Sequence, residues 1–330
     1  MKKIISVVLV LAMVLAFAAC GSSSNTSTGS DTSTPTVNKK LTSATGGEAG
    51  AYYAYGTVLA QYVSNNTDLD ITAVTGNGSK SNIEDMDAGD VQLAFCQSDV
   101  MSYAYQGTSL FDAKVDSFSE VCALYMEDVQ IVTCDPSIKT VADLKGKKVS
   151  VGAQGSGTYF NAVDCLSVYG LDINKDIEPV YQSFGDSTES LKDNKIDAAF
   201  VVAGAPTTSI VDLSTAKQAY IVSLDDEHIE KLISISPYYS KHIIPASAYG
   251  TPEDATTVAV AAMVLVRDDV DESVVYDFIS TIFNNKADVA SSHAKGEDLD
   301  LDFASSVVAV PFHAGAAKFF AEKGITVKTK

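Results

Sequence analysis

Apolar residues along the chain follow two alternating spacings, and these spacings predict the elements of the fold. Short runs rich in apolar and β-branched residues are typical of strands, whereas apolar residues that recur every three or four positions are typical of one helix face. The predicted strands span residues 41–45, 70–75, 91–97, 148–153, 177–182, 197–204 and 256–267. The predicted helices span residues 52–64, 79–88, 158–169, 187–194 and 272–284. Two further apolar runs span residues 120–125 and 129–134.

Strands that alternate with helices are typical of an α/β fold with parallel strands. The series of strand, glycine-rich turn, helix, strand, helix and strand occurs twice, without a sequence repeat of fixed period. We therefore predict two α/β lobes, joined by residues 129–134 on the way out and by residues 249–260 on the way back. The first lobe then comprises residues 41–128 together with 252–330, and the second comprises residues 129–251.

The N-terminus has the pattern of an export signal. A basic start is followed by an apolar run over residues 4–17 and by two alanines before Cys20. This order is typical of a secretory signal, and the run is shorter than the roughly 20 residues of a membrane-spanning helix. Cys20 resembles the processing site of bacterial lipoproteins. We predict that residues 1–20 are a lipoprotein signal peptide and that Cys20 carries a lipid, which anchors the protein outside the cell membrane. An uncleaved membrane anchor is the alternative.

Composition separates a tether from the folded part and excludes one class of partner. Residues 21–40 are rich in serine and threonine and contain a single valine, so we predict a flexible, solvated tether. The formal net charge of the whole chain is −19, and Arg267 is the only arginine. Such an acidic chain is unsuited to the nucleic-acid backbone, which requires clustered lysine and arginine. An anionic ligand would have to be attracted by local dipoles against this field.

Residues suited to catalysis or to metal binding are sparse. The histidines have no metal-type spacing and lie at His228, His242, His293 and His313. No nucleophile elbow of the GxSxG kind occurs. The cysteines beyond the signal follow no CxxC spacing, and we interpret them as buried free thiols, with disulfides as the alternative, at Cys96, Cys122, Cys134 and Cys165. The sequence predicts no catalytic residue, no cofactor and no metal site, and therefore a protein that is not an enzyme.

Three glycine-rich turns follow predicted strands, at the strand ends where α/β folds bind ligands. They span residues 45–53, 75–79 and 152–158. Glycine leaves main-chain amides uncovered, and the helix that follows adds its free N–H groups and the positive end of its dipole. The third turn is not a phosphate-binding P-loop, because Thr158 follows Gly157 directly, without the required lysine. We predict that the turns bind a carboxylate or another small anion; the alternative is that they only connect elements.

Several segments of the chain carry a family resemblance. They read ATGGEAGAYYAYG, GNGSKSNI, AFCQSDVMSYAYQG, DAAFVVAGAPT and VPFHAGAAKFFAEKG. Through them, residues 41–324 resemble the TAXI group of solute receptors, which are the extracytoplasmic binding proteins of one branch of TRAP transporters. The combination of QSD, AGAPT and PFHAGA is the most specific part of the match. The chain departs from the family at Glu48, where a small residue is usual, and at Ala314, where proline is common.

The resemblance implies a two-lobed fold of the periplasmic-binding-protein kind (type II), with a mixed sheet flanked by helices in each lobe and hinge strands between them. It implies a receptor that closes over an acidic amino acid such as glutamate, or over a dicarboxylate, and passes it to the TRAP membrane subunits. Asp99 is expected to pair with a ligand ammonium. Carried over by position, the expected ligand-binding residues are Thr45, Gly46, Gly47, Tyr52, Gly78, Ser79, Gln97, Ser98, Asp99, Tyr125, Ser156, Gly157, Thr158, Phe184, Ala203 and Gly204. Two alternatives stay open: a ligand-sensing module for a signalling partner, and a receptor for another class of transporter.

Overall fold

The computed structural model of the protein describes residues 37–330. The predicted signal peptide, Cys20 and residues 21–36 of the predicted tether lie outside the described residues. Val37 already packs against a hydrophobic cluster, and Lys40 begins the first strand, so the folded part starts before Leu41. None of the helices within residues 37–330 has the length and apolar character that a membrane-spanning helix requires.

Strands and helices alternate along the described chain. The strands are β1 Lys40–Ala44, β2 Asp70–Val74, β3 Leu93–Gln97, β4 Phe118–Thr133, β5 Lys148–Ser150, β6 Glu178–Val180, β7 Ala198–Ala203, β8 Tyr220–Ile221, β9 Ser240–Ile244 and β10 Ala255–Arg267. The α-helices are α1 Ala51–Asn66, α2 Ser79–Asp87, α3 Ser98–Gln106, α4 Gly157–Val168, α5 Phe184–Lys192, α6 Thr208–Ala216, α7 Asp226–Ile235, α8 Glu272–Asn284, α9 Lys286–Ser292, α10 Leu301–Ala304 and α11 Ala314–Glu322. The 3-10 turns are Val141–Leu144, Ala246–Ala248 and Ala294–Asp298.

All of these strands join in one mixed sheet, which has parallel ends and an antiparallel centre. Its main order is β2, β1, β3, β10, β4, β7, β5, β6, while β8 pairs with β4 and β9 with β10. Strand β1 is parallel to β2 and β3, and β5 is parallel to β6 and β7. The long strands β4 and β10 are antiparallel to each other and to their neighbours. The predicted α/β class is confirmed, and the centre differs from a purely parallel sheet because the two crossing segments run side by side.

The two apolar runs at residues 120–125 and 129–134 fall in one strand, β4, which ends at Thr133. Polar residues interrupt the runs at Glu127 and Asp128. The strand continues through both residues because each finds a partner: Glu127 accepts a hydrogen bond from Tyr52, and Asp128 pairs with His242. A buried carboxyl group with a partner is compatible with a central strand.

The buried hydrophobic residues form four clusters, which group into two cores, one on each side of the sheet's centre. The first core draws on residues 41–125 and 261–320, with Phe160 added from α4. The second core draws on residues 129–260. Strands β4 and β10 are the elements that pass from one core to the other. The boundaries of the two lobes themselves stay a prediction.

Candidate ligand-binding cavity

A cavity of about 410 Å³ lies between loops that belong to the two cores. On the side of the first core its lining comes from the loops before α1 and α2, from the end of β3 and from Glu127 in the interior of β4. On the side of the second core it comes from the loops before α4 and α5 and from the end of β7. The lining residues are Gly46–Tyr52, Gly76–Ser79, Gln97, Glu127, Ala153, Ser156–Thr158, Ser183–Asp186, Val202 and Ala203.

Four helices begin at this cavity. Helices α1 and α2 present their first turns from one side, and helices α4 and α5 present theirs from the other. The first N–H groups of a helix have no partner within the helix, and they lie at the positive end of its dipole. In α1 and α2 no side chain caps these groups, because the cap positions are glycines, Gly50 and Gly78. Convergent helix starts are suited to holding a carboxylate without a cationic side chain.

Main chains from the two sides approach each other closely at Gly157. A Cβ atom at this position would lie 1.6 Å from Oε1 of Gln97 and 2.7 Å from Oγ of Ser79. Nearby, the amide of Ser81 donates a 3.1 Å hydrogen bond to the carbonyl oxygen of Gly155. The first turns of α2 and α4 therefore touch across the cavity, and the structure shows the two sides in a closed arrangement.

Three carboxyl groups, and no basic side chain, belong to the lining as the structure describes it. They belong to Glu48, Glu127 and Asp186, and neither lysine, arginine nor histidine joins them. Glu127 is the most enclosed of the three, with 2% of its surface exposed. The Tyr52 hydroxyl donates to its Oε2 at 2.6 Å. Burial raises the pKa of Glu127 to about 8, although the Tyr52 hydrogen bond opposes this change.

A buried polar network lies beside the cavity and joins the same two sides. The side-chain amide of Asn161, on α4, donates to Oδ2 of Asp99 at 2.9 Å and to the Tyr239 hydroxyl at 2.8 Å. Gln97, which lines the cavity, donates from Nε2 to Oδ1 of Asn161 at 3.0 Å. Tyr239 in turn donates to Oδ2 of Asp164 at 2.9 Å. Burial, reinforced by the charge of Asp164, raises the pKa of Asp99 to about 7, and burial raises that of Asp164 to about 6.

The structure brings most of the expected binding residues together around the cavity. The residues that line it are Gly46, Gly47, Tyr52, Gly78, Ser79, Gln97, Ser156, Gly157, Thr158, Phe184 and Ala203. Their contacts with a ligand stay a prediction.

Five of the expected residues lie outside the lining. Thr45 donates from Oγ1 to the carbonyl oxygen of Val74, and Ser98 accepts from the amide of Ala261. Asp99 belongs to the buried network described above. The remaining two, Tyr125 and Gly204, lie against the side chain of Lys295.

The sequence pattern did not single out Glu127, Ser183 or Asp186, which line the cavity. Glu127 lies within an apolar run, and the contact that reveals its position comes from Tyr52, 75 residues away in the chain. Ser183 and Asp186 carry a usable signal, since a serine followed by an acidic residue three positions later is typical of a helix start. Ser183 does cap α5, accepting a hydrogen bond from the amide of Asp186.

Other residues that were candidates for chemistry lie elsewhere. Cys96, Cys122 and Cys165 are buried free thiols, and Cys134 is a half-buried one. Arg267 pairs with Asp269 near the surface. Within residues 37–330, no three side chains of the metal-binding types come together as ligands of one ion.

Comparison with solved structures defines the class of fold. The chain is similar to MatC from Rhodopseudomonas palustris with bound malate, at 12% sequence identity and a TM-score of 0.56, over 86% of this chain and 97% of that one. It is also similar to the ligand-binding component of an ABC-type import system from Staphylococcus aureus with zinc bound, at 10% identity and a TM-score of 0.51, over 88% and 94% of the two chains. The chain thus has the mixed α/β fold of periplasmic solute-binding proteins. The sequence pattern of the NMT1-like family matches residues 43–324, and the chain belongs to this family.

Proposed function

We propose that the protein is the extracytoplasmic solute-binding protein of a TRAP transporter of the TAXI kind. In this proposal it captures a small carboxylate-bearing solute in the cavity and delivers it to the membrane permease. The observation that carries the proposal is the convergence of four helix starts on one cavity, two from each side. The Staphylococcus aureus protein is the ligand-binding component of an import system and MatC holds bound malate, and this supports a binding role rather than a catalytic one.

The anion is held by main-chain amides in this proposal. Each helix start favours a nearby negative charge by about 0.3 to 1 kcal/mol at an exposed site and by up to about 2 kcal/mol where water is partly excluded. Several such starts, together with the hydroxyl groups of Ser79 and Ser156, supply the attraction that the chain's single arginine does not. The enclosure of the cavity strengthens each of these contacts, because fewer water molecules compete for the ligand.

Ligand capture is coupled to closure of two lobes. We assign residues 41–128 with 252–330 to one lobe and residues 129–251 to the other, with the centre of β4 and β10 as the hinge. A ligand that touches both sides favours the closed form by the difference in its affinity for the two forms. The hydrogen bond from Ser81 to Gly155 is available only when the two sides meet.

The location outside the membrane rests on the sequence pattern. A signal peptide over residues 1–20 and a lipid on Cys20 would hold the folded part near the permease, and the segment after Cys20 would serve as its tether. Labelling of cells with a radioactive or clickable fatty acid tests this part. Incorporation into the wild type and its loss in Cys20→Ser is the expected result, whereas equal labelling of both would contradict the lipid anchor.

A thermal-shift screen of the chain from residue 21 onward tests the ligand class. We expect small amino acids or carboxylates to raise the melting temperature, because a ligand that binds only the folded state stabilises it. Stabilisation by sugars or nucleotides, with none by any carboxylate, would overturn the proposal.

Transport partners distinguish the remaining alternatives. A TRAP permease encoded beside this chain, and ligand uptake by vesicles that contain both proteins, is the expected result. A histidine kinase in that position, with ligand-dependent phosphorylation, would support the sensing alternative. Uptake that requires an ATP-hydrolysing subunit would place the protein with another class of transporter.

A further inference from the structure

The charges that line the cavity restrict the ligand further than the helix starts do. Helix starts favour a carboxylate, yet the lining contains the carboxyl groups of Glu48, Glu127 and Asp186 and no lysine, arginine or histidine. A dicarboxylate would bring a second negative charge to a site where the structure shows acidic side chains and no cationic one. A ligand that carries a cationic group beside its carboxylate would place the carboxylate at the helix starts and the cationic group at the acidic side chains.

Glu127 is placed to receive such a cationic group. It lies on β4 at the point where this strand passes between the cores, and it is 2% exposed while lining the cavity. Among the described residues, only Tyr52 donates a hydrogen bond to it, at Oε2, so Oε1 remains for another donor. The cationic side chain that lowers the pKa of Glu127 is that of Lys295, whose Nζ lies 3.1 Å from Oδ2 of Asp298 and over the ring of Tyr125. Lys295 is thus engaged with Asp298 and Tyr125, and it does not line the cavity.

We propose that the cavity takes an α-amino acid rather than a dicarboxylate, with the ligand carboxylate on the helix starts and the ligand ammonium on the carboxylate of Glu127. This inference rests on the proposed function and narrows it. It also replaces Asp99, which lies outside the lining, as the partner of the ammonium.

The electrostatic surroundings of Glu127 agree with this assignment. Burial raises the pKa of Glu127 to about 8, which means that the partners among the described residues do not offset the cost of burying the ionised form. The titratable and charged groups around it are Tyr52 on α1, Cys96 on β3, Asp99 on α3, Tyr125 and Asp128 on β4, and Lys295 in the 3-10 turn. The two carboxyl groups raise its pKa, and Lys295 lowers it without offsetting burial. A ligand ammonium would supply a positive charge that stabilises the ionised form of Glu127.

The test compares each amino acid with the 2-hydroxy acid of the same carbon skeleton. Glutamate is paired with 2-hydroxyglutarate, alanine with lactate and phenylalanine with phenyllactate, so that each pair differs in the ammonium group. Affinities are measured by calorimetry at pH 8, where Glu127 is substantially ionised, for the chain from residue 21 onward. The variants are Glu127→Gln, which keeps the shape and removes the charge, and Glu120→Gln as a matched control. Glu120 is another fully buried carboxyl group on β4, and it lies outside the cavity.

We expect at least one amino acid to bind the wild type ten times or more as tightly as its hydroxy acid, in line with a charge-assisted hydrogen bond. Glu127→Gln should remove this preference and leave hydroxy-acid binding within about threefold of the wild type, whereas Glu120→Gln should retain the preference. The wild-type comparison tests the need for an ammonium group even if Glu127→Gln does not fold.

Two outcomes overturn the inference in different ways. Hydroxy acids or dicarboxylates that bind the wild type as tightly as the amino acids, or a preference that survives in Glu127→Gln, would refute the role of Glu127 and leave the proposed function standing. Binding of neither set would refute the inference and the proposed function together.

Discussion

The side chain of Asn161 donates a 2.9 Å hydrogen bond to Oδ2 of Asp99, and this bond ties helix α4 to the first turn of helix α3. Both residues are fully buried. Asp99 follows a strand of the first core, whereas Asn161 belongs to a helix that packs mainly on the second core. The pair therefore connects the two sides of the cavity from behind the ligand site.

Replacing Asn161 by alanine should destabilise the protein by about 3 kcal/mol. The change removes the amide donors to Asp99 and Tyr239 and leaves a buried carboxyl group with fewer partners, which is costly in a low-dielectric interior. Urea unfolding followed by circular dichroism measures the loss. Asn174→Ala, at an exposed position, is the matched control and should change the free energy of unfolding by less than about 0.5 kcal/mol. Equal effects of the two changes would contradict the structural role of the Asn161 bond.

The ligand-free protein should become less stable as the pH rises from about 5 to 8. Burial raises the pKa values of Asp164, Asp99 and Glu127 to about 6, 7 and 8. Between the unfolded value near 4 and each of these folded values, the native state holds a proton that the unfolded state has lost. The free energy of unfolding then falls with rising pH, by at most about 1.4 kcal/mol per pH unit for each group.

Melting temperatures recorded across this pH range test the sign. Asp99→Asn should flatten the part of the curve between about pH 4 and 7, because the amide does not titrate. Asp112→Asn removes an exposed carboxylate and should leave the slope unchanged. A melting temperature that rises steadily from pH 5 to 8 would show that these carboxyl groups are not protonated in the native state.

Gly157→Ala should prevent the tight approach of the two sides and so weaken ligand binding. The new methyl group would fall on Oε1 of Gln97 and against Ser79, which forces the first turn of α4 away from α2. We expect the affinity for the ligand to fall at least tenfold, because the closed form carries the contacts from both sides. Gly146→Ala serves as the control, since Gly146 has open space around it but a φ of +73°. That control should lose about 1 kcal/mol of stability through backbone strain and retain the wild-type affinity; a similar affinity loss in both variants would count against closure.

Binding of an amino acid at pH 7 should release close to one proton. Before the ligand binds, Glu127 is mostly protonated at this pH, since its pKa is about 8, and it must ionise to pair with an ammonium. The affinity should therefore increase as the pH is raised towards 8, by up to about tenfold for each pH unit. Calorimetry in phosphate and in Tris at pH 7 measures the proton count, and Glu127→Gln should bring it near zero. Proton uptake on binding to the wild type would contradict the ionisation of Glu127 by the ligand.

Local sequence patterns predict those helices and strands whose ends are marked by capping or turn residues. Helix α8 was predicted at residues 272–284 and spans Glu272–Asn284, because Asp271 caps its first turn and accepts from the amide of Ser273. Helix α3 was not predicted. It begins at Ser98, directly after the last residue of β3, so no turn of glycine or proline separates the two elements.

The cavity was predictable in part because its loops also carry local sequence signals. The glycine-rich turns mark where loops can expose amides, and those turns do line the cavity. The position of Asp99 was not predictable, because a carboxylate after a strand end looks the same in sequence whether it points into a cavity or joins a buried network. That difference depends on Asn161, which lies 62 residues away along the chain.

A binding site made of main-chain amides depends on the backbone conformation of its loops more than on the identity of their side chains. Under the proposed function, substitutions in these loops would leave the hold on the carboxylate intact as long as the glycines keep the path, while the residues opposite would decide which solute fits. Related proteins with such a site would then be able to exchange many of the surrounding residues during evolution and still bind a carboxylate. Their common descent would be recognised from the backbone structure more readily than from the sequence.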